Sequence, residues 1–512
     1  MKYLYSLLLL CSIVFWSSCR NDFETDRSSG KLVFSKDTVY LDTVFSGIGS
    51  STYNLTVHNK SKNDIHIPSI RLGEGENSYY RLNVDGLPGK TFENIEILAE
   101  DSIFVFVETT ANIDDFATTQ TQFLYTDAIE FDTGANQQNV ELVTLIQDAH
   151  FLYPEKFADG STEELIFENG ETQDTLSGFY LDDSELNFTN QKPYVIYGLA
   201  AVPSNKTLQI DAGARIHFHN ESGIIVANNG SLQVNGLPSN DPETLENEVI
   251  FEGNRLEPSF SERPGQWFGL WLTQGSTNNS FNHTTIKNAQ VGILMESNDG
   301  TNNPTLTLKN TQIYNSANFG LLARTGHIVG ENLVINNAGQ AALNLSLGGK
   351  YSFNNSTFVN YWNNSYRNFP AVLVENRLET AEIEFVSDLI QADFKNCIIY
   401  GNENLELGLN PTAEEGIAFN YKFENCLIKY KTYTNDFTEN DPPFSNETFF
   451  ENVLLNEAPF FLDPNQNLLQ ISNESAANGL ANPATATQKD ILGNLRSSNP
   501  DAGAYESTNF TE

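Results

Sequence analysis

The stretch Leu308-Lys309-Asn310-Thr311-Gln312-Ile313-Tyr314-Asn315 decides how this chain is read, because its pattern recurs. The pattern is apolar, any, Asn, small, any, apolar, any, Asn. Its leading position falls at His283, Asn310, Asn332, Asn355, Asn396 and Asn425. The apolar residue three places later is Ile286, Ile313, Ile335, Phe358, Ile399 and Ile428. A second Asn follows at Asn288, Asn315, Asn337 and Asn360, before the pattern decays to Gly401 and Tyr430. Successive leading positions lie 27, 22, 23, 41 and 29 residues apart. A period of twenty-odd residues means stacked coils. Asn tolerates left-handed backbone and bonds to the same position in the next coil, so it belongs at the bends. No coil buries its own apolar face, so the apolar positions must stack into one continuous core.

Upstream of the register, shorter phrases follow the same grammar. Leu208-Gln209-Ile210-Asp211-Ala212-Gly213, Gly223-Ile224-Ile225-Val226 and Val249-Ile250-Phe251 are strands of two or three inward residues closed by Gly or Asn. Three phrases frame the array: Pro193-Tyr194-Val195-Ile196-Tyr197-Gly198, Gly265-Gln266-Trp267-Phe268-Gly269-Leu270-Trp271, and the closing Asp490, Gly493 and Arg496 with Pro500-Asp501-Ala502-Gly503-Ala504-Tyr505-Glu506. On these features residues 186–506 resemble the right-handed parallel β-helix proteins of the pectate-lyase-like superfamily. The closing phrase looks like the "D-x-G-x-x-R … D-x-G-A-Y-E" ending of many secreted bacterial members. That superfamily includes polysaccharide lyases, glycoside hydrolases and non-catalytic proteins, so the resemblance implies a fold and not an activity.

Before the array, residues 31–147 read as period-two strands separated by turn clusters such as Asn59-Lys60-Ser61-Lys62-Asn63-Asp64. Strands at this spacing predict an antiparallel β-sandwich. Leu55 to Ser61 is similar to immunoglobulin-like surface modules. Residues 148–185 read as a polar bridge and cap, and 507–512 as a tail. The expected fold class is all-β: an immunoglobulin-like β-sandwich followed by a right-handed parallel β-helix. The sandwich is expected to act as a spacer.

The first residues carry an address. Lys2 precedes an apolar run from Leu4 to Phe15, too short to span a bilayer comfortably and suited to a signal-peptide core. It ends in Trp16-Ser17-Ser18-Cys19, which resembles the lipobox of bacterial lipoproteins. That likeness implies cleavage after residue 18 and acylation of Cys19, with a tether over 19–30. The acidic Arg20-Asn21-Asp22-Phe23-Glu24-Thr25-Asp26 resembles tethers that send lipoproteins to the outer face of the outer membrane. The expectation is a lipid-anchored, surface-exposed protein of the outer membrane.

The formal net charge of −38 makes nucleic-acid binding improbable. It also disfavours anionic membranes and acidic polysaccharides unless Ca²⁺ bridges the charges. No nucleotide loop, zincin motif or nucleophile elbow is present. No cofactor is expected, with a Ca²⁺ ion as the one alternative.

The longest gap between repeats supplies the candidate site residues, because long insertions on coils build cleft walls. Glu375, Glu379, Glu382, Glu384, Asp388 and Asp393 cluster there, and Glu382, Glu384 and Asp388 are the candidate catalytic carboxylates, since glycoside hydrolysis needs two flanking acids. Tyr361, Trp362, Tyr366 and Arg367 are the candidate glycan-binding residues: aromatic faces to stack on, with a donor beside them. Asp182-Asp183 is the weaker acid pair. Arg215, His217 and His219 share the outward face of one strand, without an evident third metal ligand. Cys397 and Cys426 occupy the same register one coil apart, as a candidate disulfide or a ladder of two buried thiols. These features favour a non-catalytic envelope protein presenting its β-helix to a glycan or a protein partner. The second reading is a polysaccharide lyase or glycoside hydrolase, and the third a purely structural envelope role.

Overall fold

The computed structural model describes residues 25–169, 172–380, 383–432, 437–438 and 441–510. The expected signal peptide, Cys19 and Glu382 lie outside these residues. Contacts divide the chain into two compact units, 1–148 and 149–512. Both are built from strands.

The first unit is a sandwich of two sheets. One orders Val33–Phe34, Tyr53–His58, Ser102–Thr109, Tyr80–Val84 and Leu87–Gly89; the other runs Asp26–Arg27, Ile65–Leu72, Gln122–Phe131, Gln138–Gln147 and Thr38–Phe45, with Thr91–Ile97 beside Ile65–Leu72. Strand alternation places Ile103, Val105 and Val107 inward while Phe104 and Phe106 face solvent. The inner faces bury Val39, Leu55, Ile67, Ile129 and Leu142. The expected antiparallel arrangement holds for most pairs. Asp26–Arg27 and Thr38–Phe45, however, pair in parallel with Ile65–Leu72 and Gln138–Gln147, so the sandwich is mixed. Parallel pairing arises where strands distant in sequence meet, with no hairpin to impose antiparallel order.

The second unit is a parallel β-helix. Its strands form three faces, each growing by one parallel strand per coil. The face that holds the register aligns Ile216, Phe251, Ile286, Ile313, Ile335, Phe358, Ile399, Ile428 and Leu455 as a continuous row of partners. Every register position from Ile286 to Ile428 is fully buried. The bends are left-handed: φ is +43° at His283, +47° at Asn310, +50° at Asn332, +46° at Asn355, +54° at Asn396 and +55° at Asn425. At these angles a side chain that bonds locally is favoured over other L-residues. Asn332 donates to Asn310 Oδ1 at 2.9 Å, and Asn337 donates to Asn315 Oδ1 at 2.6 Å. Asn452, also left-handed, opens one further coil that the register did not reach.

The coils begin and end elsewhere than expected. His150–Leu152 already pairs in parallel with Tyr194–Ile196, and Gly178–Tyr180 with Leu199–Ala201, so stacking starts well before residue 186. It ends at Leu455. Beyond it, residues 456–510 fold back across the register face as a clasp. Phe461, Leu469, Ile471, Ile491 and Tyr505 cover the outward apolar residues Tyr314, Val334, Val359, Ile398 and Leu427. An outward row that is apolar must be covered, and the clasp does this. The closing phrase of the sequence is the clasp's lock. Arg496 donates to Glu506 at 2.9 Å, to the Asp501 and Gly503 carbonyls, and to Asn332 Oδ1 at 3.1 Å. Gly503 has φ +92°, and a Cβ there would meet Ile398 at 2.7 Å. Backbone of the clasp also takes the free amides of the bends: Asn355 donates to the Asp501 carbonyl and Asn425 to that of Leu480.

Cys397 and Cys426 are free thiols, fully buried in successive coils. They stand as the ladder of two buried thiols and not as a disulfide: the thiols are hydrogen-bonded neighbours, with Cys397 also reaching the Lys395 carbonyl at 3.1 Å and Cys426 that of Phe394 at 3.4 Å. Burial pushes the Cys397 thiol well above its ordinary pKa.

Candidate binding groove

The long gap in the register is an excursion between Thr357–Asn360 and Val372–Glu375, followed by a hairpin of Arg377–Glu379 with Glu384–Val386. Its first arm forms one wall of an open groove of about 690 Å³. Tyr366, Asn368 and Phe369 come from the arm; Glu403, Asn404, Leu405 and Asn410 from the next coil; Lys431 and Asp441 from the segment after that.

The floor is built on Arg367. Its two Nη atoms meet the two carboxylate oxygens of Glu406 at 2.8 and 2.9 Å, with side chains 1% and 0% exposed. Nη2 also donates to the Asn360 carbonyl at 3.1 Å and to Asn402 Oδ1 at 2.7 Å. Glu406 accepts from the amides of Ala371 and Glu403, each at 2.8 Å. Burial pushes the Glu406 carboxyl above its ordinary range, and Arg367 and the two amides pull it back.

The four residues expected to bind glycan therefore divide. Tyr366 is 84% exposed at the groove. Arg367 is corrected: its charge is spent on Glu406, and it holds the arm in place. Trp362 is corrected too: it is buried, with Nε1 donating to Ser365 Oγ at 2.9 Å. Tyr361 lies edge-on to Phe461 at 6.1 Å, against the clasp. The physical reason is position. Tyr361 and Trp362 directly follow a core strand and are still at the coil edge, whereas Tyr366 stands at the turn of the arm.

Among the described residues, the expected carboxylates Glu384 and Asp388 do not line the groove, and Glu382 lies outside those residues. Glu384 sits on the exposed hairpin, 3.8 Å from Arg377, and accepts from Thr412 at 3.3 Å. Asp388 accepts the Ala418 amide at 2.7 Å. Among the described residues, the groove carboxylates are Glu403 and Asp441, which follow no period and were not singled out from sequence. The only signal was local: Asp441 precedes Pro442-Pro443, a turn. Asp441 accepts from the Thr438 amide at 2.7 Å, which with the Tyr430 hydroxyl, also at 2.7 Å, holds its carboxyl below the ordinary range.

The other sequence candidates serve the scaffold. Asp182 closes a capping box with Glu185, and Asp183 pairs with Lys206 at 2.8 Å. Trp267 is buried and stacks on Phe218 at 4.1 Å. His217 is buried 3.6 Å from Glu252, which lies 3.0 Å from Lys287. Arg215 donates to the carbonyls of Thr244, Leu245 and Glu248, tying down the loop before them. His219 lies tilted against Tyr197, with ring centroids 4.7 Å apart. Among the described residues, no group of three or more His, Cys, Asp or Glu is placed to hold a metal ion.

No family model and no curated protein matches the chain. Among solved structures, the catalytic unit of a GH87 alpha-1,3-glucanase from Streptomyces thermodiastaticus aligns over 73% of this chain and 74% of its own, at 10% identity and a TM-score of 0.32. A family 123 glycoside hydrolase from Clostridium perfringens aligns over 23% of this chain and 26% of its own, at 8% identity and a TM-score of 0.16. A PapD-like domain of human CEP192 aligns over 23% of this chain and 85% of its own, at 11% identity and a TM-score of 0.15. Likenesses this slight assign neither substrate nor mechanism.

Proposed function

We propose that this chain is an outer-membrane lipoprotein, anchored through Cys19 and facing outward, whose β-helix binds a neutral glycan in the groove beside Tyr366. The observation that carries the reading is the pairing of an exposed aromatic with amide donors on a rigid floor. Tyr366 and Phe369 offer faces for sugar rings, Asn368, Asn404 and Asn410 offer donors and acceptors for hydroxyls, and the Arg367–Glu406 pair fixes the arm that bears them. Among the described residues, Glu403 and Asp441 against Lys431 leave the groove lining acidic, which favours a neutral sugar over a uronate. Polysaccharide is the expected partner, held at the cell surface by the lipid anchor.

A second reading is glycoside hydrolysis, and its support is that two carboxylates, Glu403 and Asp441, line the groove among the described residues. One experiment separates the two. The chain from residue 20 onward is passed over a panel of immobilised polysaccharides, and soluble products are assayed as reducing ends. Retention on a neutral glycan, weakened about tenfold by Tyr366→Ala and unchanged by a calcium chelator, is the expected result. Products that disappear with Glu403→Gln replace binding with hydrolysis. No retention on any glycan removes the groove reading.

A further inference from the structure

The sandwich holds a second cavity, of about 530 Å³, between residues 26–32 and the turn at 59–63. Its lining reverses the sign of the molecule. The whole chain carries 28 Lys and Arg against 66 Asp and Glu, yet this cavity is lined by Arg27, Lys31 and Lys60 against Asp26 alone. Lys31 and Lys60 are exposed and have no ion pair among the described residues. Arg27 reaches Asp132 at 3.4 Å while keeping a side chain 56% exposed. Asp26 accepts from Asn63 at 2.9 Å. The Ser29 hydroxyl stands among the cations, while that of Ser61 is held by Asn63, donating to its carbonyl at 3.0 Å. Cationic donors with a hydroxyl beside them form a donor set for phosphate oxygens.

The place of the cavity names the source of that phosphate. Its first lining residue, Asp26, lies seven positions after Cys19. Seven extended residues span at most about 25 Å. An acylated Cys19 therefore holds this cavity within about 25 Å of the headgroups. We propose that the cavity binds the phosphate of an anionic phospholipid in the leaflet that holds the anchor, so that the sandwich grips the membrane at a second point. The placement rests on the lipidation reading. Asp132 meets Arg27 at 3.4 Å, and the backbones of Glu100 and Asp101 bond to those of Ser61 and Asn59, so the attraction rests on the exposed Lys31 and Lys60. Each cation at an anionic surface contributes about 1 kcal/mol, about fivefold in partition.

The test uses the whole mature chain with Cys19→Ser, so that no acyl chain holds it to a membrane. It is sedimented with phosphatidylcholine vesicles and with vesicles in which about a third of the lipid is phosphatidylglycerol. The expected result is preference for the anionic vesicles, lost at high salt and reduced more than tenfold by Lys31→Gln with Lys60→Gln. That double variant leaves the Arg27–Asp132 pair and the fold intact. Equal partition into both vesicles, or equal partition of the variant, overturns the proposal. So does displacement from the cavity by inorganic phosphate without any vesicle preference, which assigns it to the free ion. Labelling of wild type and Cys19→Ser with a palmitate analogue tests the anchor separately. Unlabelled wild type overturns the placement beside the anchor, while labelled wild type without vesicle preference leaves the anchor standing and removes the second grip.

Discussion

Arg367 and Glu406, 39 residues apart, meet through two parallel hydrogen bonds in a fully buried pair that joins the insertion arm to the next coil. A buried charge deprived of its partner is costly, by about 3–5 kcal/mol. Arg367→Ala is expected to lose that much stability, read by urea denaturation. Glu406→Gln keeps the shape and half the bonding, and is expected to lose less. If the arm depends on this pair, both variants also lose glycan retention. Full retention with Arg367→Ala sinks the idea that Arg367 positions the arm.

Asn332 joins two systems. It donates to Asn310 Oδ1 at 2.9 Å and to the Lys489 carbonyl at 3.0 Å, and it accepts from Arg496 at 3.1 Å. Its φ is +50°. Asn332→Ala adds left-handed strain of about 1–2 kcal/mol and leaves polar groups of the clasp unsatisfied for about 1–3 kcal/mol more. Asn332→Gly removes the strain and keeps the bonding loss, so it is expected to recover about half. Thermal unfolding of the pair of variants checks this; equal loss in both assigns the whole effect to the hydrogen bonds.

His283 occupies the bend that Asn holds in later coils, with φ +43° and its Nε2 3.1 Å from Asn310 Nδ2. Burial lowers its pKa below the ordinary 6.5, as it does for His217 and His327. The folded protein keeps these rings neutral while the unfolded chain protonates them. Their contribution is thus present above pH 6.5 and lost as pH falls below it toward the folded pKa. The unfolding temperature is expected to drop as pH falls below about 6.5. His283→Asn restores the repeat residue and should reduce that drop; an unchanged pH dependence would assign it to other groups.

Cys397 and Cys426 are buried and unlinked. The mature chain with Cys19→Ser is expected to react with a thiol reagent only after denaturation, and then at both sites. Reaction of the native protein contradicts the burial, and failure of the denatured protein to react without reductant restores the disulfide.

The core of the β-helix was legible because a coil repeats its geometry. Ile286, Ile313, Ile335, Phe358, Ile399 and Ile428 were identified by offset alone, and all six align as partners in the row. The bends were equally legible, since a left-handed position selects Asn over most residues. The clasp was visible only as a motif. Arg496, Asp501 and Gly503 stood out through the resemblance of the closing phrase to a family ending, but their role depends on the face against which residues 456–510 fold.

The groove was hardly legible at all. Its insertion was found from the 41-residue gap, and Tyr366 within it, but Glu403 and Asp441 were not. Trp362 and Tyr366 are four residues apart and chemically alike, yet one is buried and the other is 84% exposed. Local sequence determined the stacking, because each rung satisfies the same backbone and packing needs at a regular spacing. Only tertiary structure decided the site, because its residues come from separate coils whose meeting depends on loop lengths, on the inward turn of Arg367 and on what the clasp covers.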